Sequence, residues 1–270
     1  MTGLNDDQLR QAVRKTYGTI AESDGAGCGC GPSCCPGPGP TPSAEELSQR
    51  LGYTAEDMGS VPAGANMGLG CGNPHAIAAL QPGEVVLDLG SGGGFDAFLA
   101  AQRVGELGRV IGVDMTPEMV SKARVNAERG GYRNVDFRLG EIENLPVPDA
   151  SVDVIISNCV INLSTDKPRV FAEAYRVLRP GGRLAVSDIV AFTQLPDAAR
   201  KDLALYTGCM AGASTVEDAE SMLADSGFTE IRIAPKDETR PMIGDWAPGA
   251  NLQDFLISAS IEAVKPATEG

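Results

Sequence analysis

The sequence contains 270 residues, of which 43% are hydrophobic, so the chain is long enough to bury one large core. Its 22 basic and 36 acidic residues give a net charge of −14, which argues against nucleic acids and anionic membranes as partners. Because the sequence has no apolar run of bilayer-spanning length and no secretion-signal pattern, we expect a cytoplasmic protein.

The first 43 residues are predicted to form a helix followed by a cysteine-rich arm. Apolar residues spaced along a polar stretch indicate a helix over residues 1–20. Residues 24–42 are rich in glycine and proline, which disfavour helices and long strands, so this segment is predicted to be a loop. The loop holds four cysteines: Cys28, Cys30, Cys34 and Cys35.

The next segment leads into a regular alternation of elements. Ser43 with Glu46 has the pattern of a capping box and predicts a short helix, and residues 52–74 are again predicted to be a loop. The predicted helices then cover residues 75–80, 95–104, 117–130 and 168–178, and the predicted strands cover residues 85–89, 110–113, 135–139, 152–157 and 183–188. Strands that alternate with helices in this way predict a doubly wound parallel sheet.

Beyond residue 188 the alternation loosens. Residues 197–206 and 216–226 are predicted helices, and residues 229–233 and 254–264 are predicted strands. Trp246 lies between these elements, and its surroundings in the sequence fit either a core residue or part of a lid over an acceptor site.

The turn after the first predicted strand carries the glycines Gly90, Gly92 and Gly94. Such a turn lets a ligand approach the backbone and the free N–H groups of the following helix. The spacing departs from the G-x-G-x-x-G of dinucleotide enzymes, and Asp88 stands just before it. An acidic residue here suits the cationic amino-acid part of S-adenosylmethionine, and Asp114 is placed to accept the ribose hydroxyls. A hydride-transfer dehydrogenase and a purely structural turn are the alternatives.

Three further segments complete a resemblance to class I methyltransferases over roughly residues 45–190. They are residues 140–146 (GEIENLP), 149–158 (DASVDVIISN) and 177–182 (VLRPGG). The cofactor-binding residues that this resemblance implies are Asp88, Gly90, Ser91, Gly92, Gly94, Asp114, Met115, Glu141, Ile142, Glu143 and Asn158.

The resemblance also implies the architecture. We expect an α/β fold with a doubly wound, mostly parallel, seven-strand (Rossmann-like) sheet and a C-terminal extension on the acceptor side. The expected regions are an N-terminal helix and Cys/Gly/Pro-rich arm (1–43), an S-adenosylmethionine-binding domain (44–190) and an acceptor-binding, sheet-completing region (191–270).

The remaining cysteines suggest the methyl acceptor. Cys159 follows the fourth predicted strand, at the carboxyl edge where open α/β sheets bind ligands, while Cys71 precedes the first strand and Cys209 follows the fifth. Three thiols around one pocket suit a soft, thiophilic centre such as trivalent arsenic. Arsenic bound by three sulfurs retains a lone pair that can attack a methyl group without a general base, which fits a chain with one histidine, His75.

The segments around these cysteines resemble arsenite methyltransferases: residues 68–74 (GLGCGNP), 157–163 (SNCVINL) and 206–211 (YTGCMA). The resemblance implies that Cys159 and Cys209 bind arsenic and that Cys71 is a third ligand or part of a disulfide relay. It also implies that Cys34 or Cys35 is a redox cysteine. The Cys28-x-Cys30 pair has no counterpart in the family pattern.

The implied reaction transfers methyl groups from S-adenosylmethionine to thiol-bound trivalent arsenic. Methylation through the lone pair formally gives pentavalent arsenic, so a thiol reductant, glutathione or a thioredoxin-type protein, is expected as co-substrate or partner. The default assembly is a monomer.

Several alternatives stay open at this stage. Residues 28–35 could bind zinc or form a disordered tail, and any single cysteine could be a small buried apolar residue. A methyltransferase acting on carbon or oxygen of a small metabolite, such as a quinone precursor, would need no cysteine set. A thiol-based metalloid sensor would bind arsenite without consuming the cofactor.

Overall fold

A computed structural model describes residues 4–23, 42–246 and 249–267. Its strands are β1 (Val85–Leu89), β2 (Arg109–Asp114), β3 (Val135–Leu139), β4 (Val152–Asn158), β5 (Leu178–Ala191), β6 (Thr229–Pro235) and β7 (Leu256–Val264). They form one seven-stranded sheet in the order β3-β2-β1-β4-β5-β7-β6. Strands β1 to β5 pair in parallel and β7 runs antiparallel to both neighbours. The predicted doubly wound, mostly parallel sheet is confirmed.

The described helices in chain order are α1 (Asp6–Glu22), α2 (Ala44–Arg50), α3 (Ala55–Gly59), α4 (His75–Ala78), α5 (Phe95–Val104), α6 (Pro117–Gly130), α7 (Lys167–Val177), α8 (Asp197–Arg200), α9 (Leu203–Thr207), α10 (Val216–Asp225) and α11 (Arg240–Trp246). Short 3₁₀ turns cover Ile161–Leu163, Asp237–Thr239 and Leu252–Asp254. No helix in these ranges has the length and hydropathy needed to cross a membrane.

The sheet is buried on both faces, which explains why the central strands are nearly continuous apolar runs. Successive side chains of a strand point to opposite faces. Val86 accordingly packs with Phe98 of α5 in one core layer, and Leu87 packs with Phe171 of α7 in the other. Helices therefore cover both faces, as the predicted alternation requires.

The strand order reverses at β1, which lies between β2 and β4. In open α/β sheets a crevice forms at this point, outside the carboxyl ends of the strands. The same edge receives Asp88 of β1, Asp114 of β2, Asn158 of β4 and Asp188 of β5. The topology thus concentrates polar side chains from four strands at one end of the sheet.

Several predicted boundaries were wrong because local hydrogen bonds interrupt the pattern. The segment predicted as one helix at 197–206 forms two, because the Asp202 side chain accepts from Ala204 N and begins α9. The predicted loop at 52–74 contains α3, which Thr54 and Asp57 start with a capping box. Helix α4 ends early at Ala79, whose backbone is left-handed.

Other differences lie towards the C-terminus. Strand β5 begins at Leu178 instead of 183, because Leu178 pairs with Val152 before a register shift in β4. Strand β7 begins at Leu256, since a 3₁₀ turn occupies Leu252–Asp254. Helix α11 was not predicted. Strands β6 and β7 complete the sheet, and the domain boundaries at 43/44 and 190/191 stay predictions.

Candidate active site

A cavity opens at the carboxyl ends of β1, β2 and β4. Its lining combines the glycine turn, the loop before β1, the residues after β3 and one face of α1. The predicted cofactor residues that line it are Asp88, Gly90, Ser91, Gly92, Asp114, Met115, Ile142, Glu143 and Asn158.

The glycine turn holds its shape through backbone bonds and needs residues without a Cβ. Gly90 donates its N–H to Val113 O at 2.8 Å, and its φ of +69° disfavours other residues. A Cβ on Gly90 would lie 2.5 Å from the Val160 side chain. Gly94 does not line the cavity: it is the N-cap residue of α5, and a Cβ there would meet Phe98 at 2.6 Å. The lack of a Cβ at Gly94 lets the turn pack closely against Phe98.

Asp88 is a buried carboxylate facing the cavity, with 2% of its surface exposed. Its Oδ2 has no hydrogen-bond partner among the described residues. Burial raises the pKa of Asp88 well above its usual range, and Asp96 and Asp114 raise it further. An unpartnered buried acceptor of this kind fits the ammonium group of an amino acid.

Asp114 supports the glycine turn directly. Its Oδ2 accepts from Gly92 N at 3.0 Å and its Oδ1 accepts from Thr116 N at 2.8 Å. Burial raises its pKa, while these backbone bonds oppose the shift. Since each carboxylate oxygen can accept a second bond, the side chain can also serve a ribose at the cavity wall.

The residues after β3 divide between the cavity and α1. Glu143 lines the cavity and accepts from Ser164 Oγ at 2.6 Å. Glu141, predicted to contact the cofactor, does not line the cavity, because its carboxylate pairs with Arg14 of α1. The two neighbouring acids therefore differ in position although the sequence treats them alike.

Asn158 lines the cavity and also contacts Cys71. Its Oδ1 accepts from Cys71 N at 3.0 Å, and its Nδ2 donates to Tyr53 Oη at 3.0 Å and to Asp96 Oδ2 at 3.2 Å. Tyr53 in turn donates to Asp96 Oδ1 at 2.6 Å. The buried His75 ring lies against Asp96, with 3.2 Å between Nε2 and Oδ1. His75 does not line the cavity, so the structure gives it a supporting position.

The three described cysteines come together beside the cavity, and all are free thiols. Exposed fractions are 0% for Cys71, 8% for Cys159 and 3% for Cys209. Ligand atoms of Cys71, Cys159 and Asp188 all lie within 4.8 Å of one another. Cys209 Sγ donates to Cys159 O at 2.7 Å. Only Cys159 lines the cavity itself, so it connects the cavity to the other two thiols.

Their surroundings favour the protonated thiols. Burial raises the pKa of Cys71 to about 11. A hydrogen bond with Cys209 lowers the pKa of Cys159, but hydrogen bonding to Cys71 and burial outweigh it and leave the pKa well above the usual value. The hydrogen bond with Cys159, then burial, raises the pKa of Cys209 in the same way.

The backbone of two of these cysteines is unusual. Cys159 has a φ of 58° and Cys209 a φ of 63°, both in the left-handed region that side chains with a Cβ seldom adopt. Strained residues of this kind concentrate at functional sites, where surrounding contacts hold them in place.

Sequence reasoning missed the residues that α1 contributes. Arg10, Val13 and Tyr17 line the cavity, and Tyr17 Oη donates to Thr207 O at 3.2 Å and lies 3.9 Å from Cys209 Sγ. The spacing of Val13 and Tyr17 indicated a helix but not what that helix would cover. Cys28, Cys30, Cys34 and Cys35 lie outside the described residues.

Comparisons with known proteins show which family the chain resembles. Residues 80–227 match the family model described as "Methyltransferase domain". An arsenite methyltransferase of Halobacterium salinarum is 54% identical over 266 residues, which are 97% of this chain and 68% of that protein. One from Aquipseudomonas alcaligenes is 48% identical over 214 residues, covering 74% of this chain and 60% of that protein. The chain thus spans about two thirds of the length of these relatives.

Among solved structures, the fold is similar to an arsenic(III) S-adenosylmethionine methyltransferase from Chlamydomonas reinhardtii. The TM-score is 0.60 at 36% identity, covering 86% of this chain and 76% of that chain. With a relative more than half identical over nearly the whole chain, the predicted family is confirmed. The chain belongs to the arsenite methyltransferase family of class I, S-adenosylmethionine-dependent methyltransferases.

Proposed function

We propose that this chain transfers methyl groups from S-adenosylmethionine to trivalent arsenic held by Cys71, Cys159 and Cys209. The product would be methylated arsenicals, in a detoxification reaction. The observation that carries the proposal is a group of three buried thiols, one of which, Cys159, lines the cavity that Asp88 faces with an unpartnered oxygen.

The cavity fits the methyl donor by the chemistry of its wall. Asp88 would hold the ammonium group, the glycine turn would lie against the amino-acid backbone, and Asp114 would hold the ribose. The unpartnered Ser91 Oγ offers a further polar contact. S-adenosylmethionine supplies a methyl group on a cationic sulfur, which makes that methyl open to attack by a lone pair.

The thiols would hold the acceptor. Trivalent arsenic takes three soft sulfur ligands and keeps its lone pair, so no side chain has to remove a proton from the nucleophile. Catalysis then rests on proximity and alignment of acceptor and methyl group. Cys159 lines the cavity, which supports placing the bound arsenic at the cavity wall.

A direct assay tests the proposal. The protein is incubated with arsenite, glutathione and methyl-labelled S-adenosylmethionine, and labelled arsenicals are separated and counted. We expect methylated arsenic. Cofactor binding without any methylated arsenic would refute the proposal, and arsenite binding without cofactor consumption would favour the sensor alternative.

The raised thiol pKa values predict how arsenite binding depends on pH. Three protonated thiols displace three hydroxyl groups of arsenous acid as water, so no net proton is taken up. The apparent Kd for arsenite should therefore stay constant between about pH 6 and pH 8 and rise as the thiols ionise at higher pH. Calorimetry in two buffers of different ionisation enthalpy measures the proton balance. Net proton uptake at neutral pH would show that the thiols are ionised instead.

We further propose that a thiol reductant, glutathione or a thioredoxin-type protein, supports repeated cycles. Each methylation formally takes arsenic from the trivalent to the pentavalent state, and two thiols that form a disulfide return the two electrons. Cys34 or Cys35 would take part, and the external reductant would then reduce the disulfide.

The relay predicts a difference between single and repeated turnover. Changing Cys34→Ser together with Cys35→Ser should slow steady-state turnover more than a single methyl transfer, because only later cycles need the electrons. Rapid-quench measurements with enzyme in excess give the single-turnover rate. Equal losses in both rates would contradict the relay.

A further inference from the structure

The left-handed backbone of Cys159 and Cys209 needs contacts that hold it. Two buried side chains, those of Asn162 and Asp188, lie between the loop after Cys159 and the loop that carries Cys209. Asn162 is in the 3₁₀ turn after Cys159 and has 4% of its surface exposed. Its Nδ2 donates to Ile189 O at 2.7 Å and to Asp188 Oδ1 at 2.9 Å, with a longer contact of 3.4 Å to Cys209 O. The Asn162 amide thus contacts both the C-terminal part of β5 and the loop that carries Cys209.

Asp188 completes this arrangement from β5. Its Oδ2 accepts from Ile161 N at 3.0 Å, and its Oδ1 accepts from Ile189 N at 2.8 Å as well as from Asn162. Only 2% of its surface is exposed. The carboxylate therefore fixes both the backbone and the side chain of the turn that follows Cys159.

Backbone packing forms a second contact between the turn after Cys159 and the loop that carries Cys209. A Cβ on Gly212 would lie 2.1 Å from Asn162 O, so only glycine permits the loop after Cys209 to approach this closely. Lys167 Nζ donates to Gly212 O at 2.6 Å. The Cys209 loop is thus packed against Asn162 as well as hydrogen-bonded to it.

We propose that Asn162 and Asp188 are positioning residues, which hold Cys159 and Cys209 in the conformation that brings their thiols together for arsenic. The inference rests on the proposed function. Neither residue lines the cofactor cavity, so the pair should act on arsenic affinity and leave cofactor affinity unchanged. The proximity of Asp188 to Cys71 and Cys159 suggests the alternative that Asp188 itself binds the acceptor.

Substitutions of the pair separate these roles. Asn162→Ala removes the side-chain hydrogen bonds to Asp188, Ile189 O and Cys209 O but keeps the backbone packing against Gly212. Asp188→Asn keeps the size of the side chain but places an NH₂ group where one carboxylate oxygen accepted a hydrogen bond. Ser157→Ala is the matched control, because Ser157 is fully buried on the neighbouring strand and loses one hydrogen bond, to Leu89 O. The single tryptophan, Trp246, packs against the cluster that contains the three cysteines, so its fluorescence is expected to change when arsenite binds.

We expect Asn162→Ala to raise the Kd for arsenite at least tenfold and Asp188→Asn to raise it less, while the Kd for S-adenosylmethionine stays within twofold. Ser157→Ala should change neither. Equal loss of both ligands, or arsenite binding that matches the control, would overturn the proposal. Asn162→Ala with normal arsenite binding beside Asp188→Asn with none would assign Asp188 as a ligand instead. If Asn162→Ala does not fold, Asp188→Asn carries the comparison.

A second measurement does not depend on arsenic. In a background where the other five cysteines are serine, the short bifunctional thiol reagent dibromobimane should link Cys159 to Cys209. The yield should fall in Asn162→Ala and persist in Ser157→Ala, and an unchanged yield would overturn the proposal. Absence of arsenite binding by the native protein would refute the proposed function, and the crosslink would still decide the role of Asn162.

Discussion

Replacing Cys159 or Cys209 by serine should lower kcat/KM for arsenite by at least about 100-fold, the scale of loss when a reactant is no longer held in place. A hydroxyl is a hard, weakly acidic group and a poor ligand for a thiophilic centre. Cys209 Sγ also donates to the backbone O of Cys159, so a change at Cys209 alters a contact with the Cys159 loop as well. Product formation under saturating cofactor is the measurement.

A control separates this effect from damage to the fold. Buried serine without a partner costs about 1–3 kcal/mol of stability, so each variant also needs a thermal unfolding curve and a Kd for S-adenosylmethionine. Cys28→Ser is the matched cysteine control, because that position has no counterpart in the family pattern, and it should retain activity. Full methylation by Cys159→Ser or Cys209→Ser would contradict the thiol site and favour a carbon or oxygen acceptor.

Replacing Asp88 by asparagine should have opposite effects on cofactor binding and stability. Removing one partner of a buried ion pair costs about 3 kcal/mol or more, so the Kd for S-adenosylmethionine should rise at least roughly 100-fold. The cofactor-free protein should become more stable, because its buried carboxylate has an unpartnered oxygen and a raised pKa. Calorimetry and thermal unfolding measure the two effects.

The stability gain should depend on pH in a defined direction. A folded-state pKa above the unfolded one gives stability that is present in acid and lost as the pH rises through the folded pKa. The difference in Tm between Asp88→Asn and the native chain should therefore be largest at neutral pH and vanish below about pH 4, where the unfolded carboxyl is also protonated. Glu106→Gln, at an exposed turn, controls for the change in net charge. A lower Tm for the cofactor-free Asp88→Asn variant at neutral pH would contradict the unpaired-charge account.

The short segments that resemble the family predicted the glycine turn and the cysteines of the pocket, because each segment carries a local constraint on its backbone or its burial. The turn at Gly90 needs a residue without a Cβ, and the apolar run of β1 needs burial on both faces. The strand–turn–helix unit from Val85 to Val104 was accordingly predicted to the residue. The cysteines at 71, 159 and 209 were predicted to share a pocket, and their side chains are brought together beside the cavity.

Contacts between distant parts of the chain were not predictable in the same way. Tyr17 and Cys209 are 192 residues apart, and nothing in either segment specifies that α1 covers the cavity. Glu141 and Glu143 look equivalent in sequence, yet Arg14 engages one and Ser164 the other. Asp188 appeared only as the end of a predicted strand, whereas in the fold its carboxylate fixes the turn after Cys159.

The sequence by itself determined the alternation of strands and helices, the glycine turn and the family. These follow from hydrophobic periodicity, from backbone conformations that only glycine adopts readily, and from matching segments, all of which are local. Tertiary structure alone decided which acid faces the cavity, which helix covers it and how the two cysteine loops are held in a left-handed conformation. Those features depend on side chains that meet only when distant segments pack, so no single stretch of sequence contains them.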